Sequence, residues 1–148
     1  MSIQALVNSI LIRSFEEKEP ITPMKLQKLV YFVYREYLRE SGKPPFTELF
    51  ETWKYGPVLP SVYDEFNSFG SSPITKFARD AKGTVFTIDD KKSPIMAKCI
   101  NKVWEKYKRC SGIELSKLTH LDGSAWSNAF EKGAKTLDIE DICNEQIN

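Results

Sequence analysis

The 148-residue sequence contains a single histidine, His120, so a histidine-built metal site is excluded. Its three cysteines, Cys99, Cys110 and Cys143, are odd in number and show no C-x-x-C spacing. That rules out a zinc-ligand pattern and fits small core residues in a reducing, intracellular compartment. The seven glycines are scattered, which leaves no glycine-rich phosphate loop. No apolar run approaches the ~20 residues that cross a bilayer. The stretch Ser2 to Phe15 has no basic segment before it and no small-residue cleavage site after it, so it reads as a folded helix rather than a secretion signal. The acidic pairs Asp64-Glu65 and Asp89-Asp90 are sequence neighbours, and neighbours on a helix or strand point apart rather than forming an acid–base pair. A Cys–His pair is the one nucleophilic combination left open. These absences lead to the expectation of a cytoplasmic protein that is not an enzyme, with no catalytic residue, metal, cofactor or membrane partner.

What is present suits an ordinary globule: 41% hydrophobic, 12% aromatic and 28% charged. A chain of this length fits one domain, 1–148, with a core that needs no covalent staples. Ile3, Leu6, Val7, Ile10 and Leu11 follow helical spacing. Thr22-Pro23 is an N-cap followed by proline at the first helical position, and Leu26, Leu29, Val30, Val33 and Tyr37 form the stripe of a second helix that stops at Ser41-Gly42. Residues 46–55 are aromatic and β-branched and read as a short strand, followed by a sharp turn at Gly56-Pro57. Pro60 opens a third helix carrying Val62, Phe66 and Phe69; residues 71–83 read as loop. Thr84 to Ile88 reads as the strand that pairs with the first.

Ser93-Pro94 begins a fourth helix lined by Met96, Ile100, Val103 and Tyr107. Ser111-x-x-Glu114 is a capping box, Ser124 caps a helix bearing Trp126 and Phe130, and Asp138 starts a last helix with Ile139, Ile142 and Ile147. The expected fold is mainly α with a small β-hairpin (α+β), a compact bundle of about six or seven helices.

The net charge is +1, but it is unevenly spread: residues 76–109 carry +6 and residues 110–148 carry −4. Lys98, Lys102, Lys106 and Arg109 form a basic stripe that suits phosphates, although the same stripe also serves as solubilising surface. Lys25 and Lys28 sit at the positive end of the second helix's dipole, where acidic residues are favoured by ~0.3–1 kcal/mol. With Tyr31 and Arg35, Lys28 forms a cationic, aromatic face able to hold an acidic partner, or else a solvated face screened by Glu36 and Glu40. Phe50, Trp53, Tyr55 and Tyr63 cluster around Gly56-Pro57 more densely than a plain turn requires. Trp and Tyr are over-represented in binding hot spots, and a turn fixed by its own packing makes a docking platform.

The succession Thr22-Pro-Met-Lys25-Leu26-Gln-Lys28-Leu29-Val-Tyr31, Phe50-Glu-Thr-Trp53-Lys-Tyr55-Gly56-Pro57-Val58, Pro60-x-x-Tyr63-x-x-Phe66, Leu118-Thr-His120 and Ser124-Ala-Trp126 resembles the Panacea domain family, also described as SocA-like or phage-associated GepA-like proteins. The resemblance spans about Ile3 to Ile147. It implies a mostly helical fold with a small sheet. It also implies an antitoxin of a bacterial or prophage-borne toxin–antitoxin module that neutralises a toxin protein by binding it. Lys25, Lys28, Tyr31, Trp53, Tyr55, Gly56, Pro57, Tyr63, His120 and Trp126 are the candidate family-motif or partner-binding residues. For His120, a core or capping role hydrogen-bonded through its ring is the expectation. The family commonly has proline before the last tryptophan, whereas this chain has Ala125. The expected partner is a cognate toxin, encoded by the adjacent gene. Operon DNA is a second candidate, through a nucleic-acid-binding regulator reading; an adaptor that delivers a bound protein to proteolysis is a third reading. Neither residues nor resemblance names the toxin, the host or an oligomeric state.

Overall fold

The computed structural model describes residues 2–146. Five of its helices begin where side chains satisfy free N–H groups of the first turn; the two that start at Pro60 and Pro94 open with proline instead, and Ser93 makes no side-chain cap bond. Helix α1, Ile3–Glu17, is capped by Ser2, and α2, Pro23–Ser41, by Thr22 with proline in its first turn. Two short strands follow, β1 at Glu51–Trp53 and β2 at Gly56–Val58. Then come α3, Pro60–Phe66, which runs into one turn of 3-10 helix, and α4, Pro94–Tyr107. Helix α5, Gly112–Thr119, carries the full capping box of Ser111 and Glu114, in which each side chain binds the other residue's backbone N–H. Ser124 caps α6, Ala125–Lys132, and Asp138 caps α7, Ile139–Asn144. The protein is mainly α with a small antiparallel hairpin, as the sequence pattern predicts. Ile147, placed on the last helix by its spacing, lies outside the described residues.

Helix α2 is the axis of the molecule. It packs against α1, α3, α4, α5, α7 and β2, and every residue from Lys25 to Arg35 is buried. An amphipathic surface helix buries one stripe, whereas a helix closed in on all sides must bury its polar residues too. Around it lies one apolar cluster to which every named helix contributes except α5's exposed face. Tyr31 and Tyr34 meet Phe50 edge-to-face, each at 5.1 Å, and Phe32 stacks on Tyr107 at 4.5 Å. The predicted α4 stripe of Met96, Ile100, Val103 and Tyr107 is buried.

The hairpin differs from its sequence reading in two ways. Thr84 to Ile88 is not a strand and does not pair with the first strand; β1 pairs with β2 in the register Glu51↔Val58, Thr52↔Pro57 and Trp53↔Gly56. The turn is therefore Lys54-Tyr55, while Gly56 and Pro57 already belong to β2. The cause lies in α1. Buried Asn8 donates to Ala78 O at 2.9 Å and Phe86 O at 3.0 Å and accepts from Ala78 N at 2.8 Å, and Ser9 Oγ accepts from Ile88 N at 2.8 Å. Side chains of a helix thus supply the hydrogen bonds that a neighbouring strand would have supplied. The outer edge of β1 is covered as well: Thr52 N donates to Lys135 O at 2.8 Å, and Leu137 N to Phe50 O at 2.9 Å. Among the described residues no helix is long and apolar enough to span a membrane.

Candidate functional site

Lys25 and Lys28, which defy the dipole of α2, each point to a carbonyl. Lys25 Nζ donates to Lys108 O, capping the C-terminal end of α4, where a cation is favoured. Lys28 Nζ donates to Pro57 O at 2.9 Å and is 1% exposed. The preceding residue, Gln27, donates to Leu59 O at 3.1 Å and accepts from Leu59 N at 2.9 Å, so two polar side chains of α2 hold the β2–α3 connection. From behind, Ser116 Oγ donates to Tyr55 O, and Trp126 Nε1 donates to Trp53 O at 2.7 Å. The carbonyls on both sides of the hairpin tip are thereby fixed by α5 and α6.

Gly56 is constrained twice. Its φ of +114° is one that residues with a side chain rarely adopt, and a Cβ there would lie 2.6 Å from Thr119 Oγ1 and 3.3 Å from Lys28 Cε and Nζ. The corner thus requires glycine by close approach as well as by backbone geometry.

In front of this corner is a groove of about 420 Å³ between the first turn of α2, the hairpin and α3. Lys28 lies at its floor. Trp53 and Tyr63, with rings 4.8 Å apart, and Tyr55, 55% exposed, line its rim beside Lys54. Burial pushes the Lys28 amine down to about 7, and no neighbouring carboxylate opposes that shift. Lys25 is also lowered by burial, partly opposed by Glu19, Cys110 and Glu114. A wider depression of about 620 Å³ between the start of α1 and residues 44–48 contains none of the predicted site residues.

The remaining predicted residues are placed elsewhere. Lys28, Tyr31 and Arg35 do not form an exposed face for an acidic partner: all three are buried. For Tyr31 and Arg35 the acid comes from within the chain. Glu145 accepts from Arg35 at 2.7 Å, from Tyr31 OH at 2.8 Å and from Ala125 N at 3.0 Å. Burial and the Glu145 carboxylate raise the Tyr31 phenol well above its usual range. The Ala125 contact gives the departure from proline a consequence, because proline has no N–H to donate to Glu145.

His120 ends α5 and packs on Trp126, with ring centroids 5.3 Å apart, and does not line the groove. Its Nδ1 is buried without a partner among the described residues, so the predicted ring hydrogen bonding is not seen at that nitrogen. The basic stripe is partly neutralised: Lys98 pairs with Glu40 at 3.2 Å, Lys102 with Glu36 at 3.0 Å, and Lys106 sits over the Tyr107 ring; Arg109 is exposed. Burial pushes the Cys99 thiol up to about 11, with Glu36 and Glu40 adding to the effect, the opposite of an activated nucleophile. Among the described residues no group of three His, Cys, Asp or Glu side chains could hold a metal.

Sequence reasoning missed Gln27, Ser116, Thr119 and Glu145. Gln27 carried a faint signal, being a polar residue within the Thr22–Tyr31 motif of the second helix. The other three act through contacts that are distant in sequence.

Over residues 26–127 the chain matches the family described as "Antitoxin SocA-like, Panacea domain". The chain belongs to that family. It is 30% identical over 126 residues to the protein named Antitoxin SocA of Caulobacter vibrioides, an alignment covering 83% of this chain and 67% of that protein. No solved structure matches. The span shared with the Panacea family takes in Lys28, the hairpin, α3, α5 and the start of α6, and so contains the corner and most of its groove; Pro23 and Met24 of the groove, Lys25 and Glu145 fall outside it.

Proposed function

We propose that the chain is an antitoxin that neutralises a toxin protein by binding it directly, with the hairpin corner as the contact surface. The observation that carries this reading is the corner itself. Exposed aromatic side chains, Tyr55 and Tyr63, stand on a backbone whose carbonyls at 53, 55, 57 and 59 are all held by side chains from α2, α5 and α6. A surface fixed before contact loses little conformational freedom on binding, and aromatic anchors of this kind dominate interface energetics. Membership of a family described as SocA-like antitoxins supports the role, and a relative named an antitoxin agrees with it. On this reading residues 1–148 act as one folded unit, no side chain performs catalysis, and the motif residues divide into three groups. Lys28, Gly56, Pro57 and Trp126 shape the corner, Lys25, Tyr31 and His120 brace the fold around it, and Trp53, Tyr55 and Tyr63 meet the partner.

The test is co-expression with the product of the adjacent gene. The expected result is a stable complex and restored growth when that product is toxic alone; failure of both would remove the proposal. The nucleic-acid reading has less support, since two of the four stripe cations are already paired with carboxylates of α2.

A further inference from the structure

We infer that the groove between the hairpin, α2 and α3 receives an acidic residue of the bound protein, an aspartate or glutamate flanked by apolar neighbours, whose carboxylate reaches Lys28. This rests on the reading of the corner as the toxin-binding surface and specifies what that surface recognises. Lys28 has three N–H donors and one protein acceptor, Pro57 O at 2.9 Å. Among the described residues it forms no ion pair, although it is 1% exposed, and a buried charge is ordinarily compensated by a partner. Arg35, on the same helix and equally buried, has its compensating carboxylate in Glu145. Lys28 lacks one, and it alone of the two lines a groove wide enough for a visitor to supply it.

The lining sorts the visitor by chemistry. Its charged members are both cations, Lys28 and Lys54, with no carboxylate to repel an acid. Trp53, Tyr55, Tyr63 and Met24 provide apolar walls for the residues on either side. The volume of about 420 Å³ falls within the roughly 300–1,000 Å³ of small-ligand sites. The amine is held at about 7 by burial, so an arriving carboxylate draws it into the charged form. The titratable groups that line the groove with it are Lys54 and Tyr55 on the hairpin and Tyr63 on α3, with none from α5, whose Thr119 hydroxyl lies nearby; Lys25 on α2 is turned away to Lys108 O, and His120 is outside the groove. Affinity for an acid is therefore level below pH 7 and falls as pH rises above it, by up to about tenfold per unit for one titrating group.

The experiment titrates the full chain with a capped pentapeptide bearing aspartate at its centre between leucine and phenylalanine residues, against the same peptide with asparagine. Binding is read by calorimetry between pH 6 and 8.5, with the Lys28 ¹³Cε resonance followed by NMR. The expected result is at least tenfold tighter binding of the aspartate peptide at pH 6, an advantage that shrinks above pH 7, and a Lys28 titration moved to higher pH when the peptide is bound. Equal binding of the two peptides, no binding of either, or an unmoved Lys28 resonance overturns the proposal. K28M should abolish the preference, with its fold checked by circular dichroism. K54E, on the exposed rim and outside the core, should weaken the aspartate peptide even if K28M fails to fold. The antitoxin reading fails separately: a chain that prefers the acidic peptide yet binds no toxin keeps the groove and loses the antitoxin, whereas toxin bound equally by wild type and K54E and K28M variants does the reverse.

Discussion

Gly56 and Lys28 form one contact, and each sets a measurable property of the fold. A methyl group at Gly56 would meet both the Thr119 hydroxyl and the Lys28 amine, at a φ that disfavours any side chain. G56A should therefore destabilise the protein by about 2–3 kcal/mol, from strain plus overpacking, as a fall in the urea midpoint without a change in slope. Adding T119A should recover part of that loss, since the closest approach is to Thr119 Oγ1. Lys28 acts through protons. Its folded-state amine titrates at about 7, below its unfolded value, so the unfolded chain binds more protons between pH 7 and the ordinary lysine range. The stability withheld by this group is therefore greatest below pH 7 and is regained as pH rises. Wild type should gain stability from pH 7 toward 10 by an increment that K28M lacks; parallel denaturation curves for the two proteins across that range would count against a buried, uncompensated amine.

At the scale of elements, what the sequence made readable was whatever is local. Thr22-Pro23, Ser111 with Glu114, and Ser124 all cap helices in place, because a cap is decided within four residues. The stripe of α4 was readable for the same reason. The hairpin partner was not. Lys54-Tyr55 carries no glycine or asparagine to announce a turn, so the visible Gly56-Pro57 drew the reading two residues too far. Thr84 to Ile88 does alternate, yet its backbone is satisfied by Asn8 and Ser9, about 79 positions earlier for Ile88 and Ser9, and no pattern within the segment reveals that. The expected consequence is specific: N8A removes three hydrogen bonds to the 78–86 backbone and should cost about 2–3 kcal/mol. Limited proteolysis would then shift to residues 79–92 while α2 stays protected. In the candidate site, Lys25, Lys28 and Tyr31 were legible as motif residues but not as buried ones. A cation at a helix start suggests a surface role until the neighbouring carbonyl is known, and Pro57 O is supplied by another element.

Over the whole molecule, charge and aromatic area are separated in a way that distinguishes the two partner classes. The +6 segment reaches α4, but Lys98 and Lys102 spend their charge on Glu40 and Glu36 of α2, which leaves Lys106 and Arg109 as the less constrained cations of that stripe. Exposed aromatic side chains stand off that stripe, at Tyr55 of the hairpin and Tyr63 of α3, where they flank the groove, and singly at Phe86 and at Phe130 of α6. If the molecule works by gripping a protein at the corner, a tyrosine anchor there should matter and the α4 cations should not. Y63A, whose ring is partly exposed and packs on Trp53, should weaken the toxin complex by about 2 kcal/mol or more, roughly thirtyfold, with little change in thermal stability. A double K106E/R109E variant should leave that complex within about threefold of wild type, because rim and surface charges alter association rate more than affinity. The opposite pattern, in which the α4 variant loses partner binding and Y63A keeps it, would move the interface to the basic stripe. Binding would then weaken with salt in proportion to the number of phosphates contacted, and operon DNA would replace a toxin as the occupant.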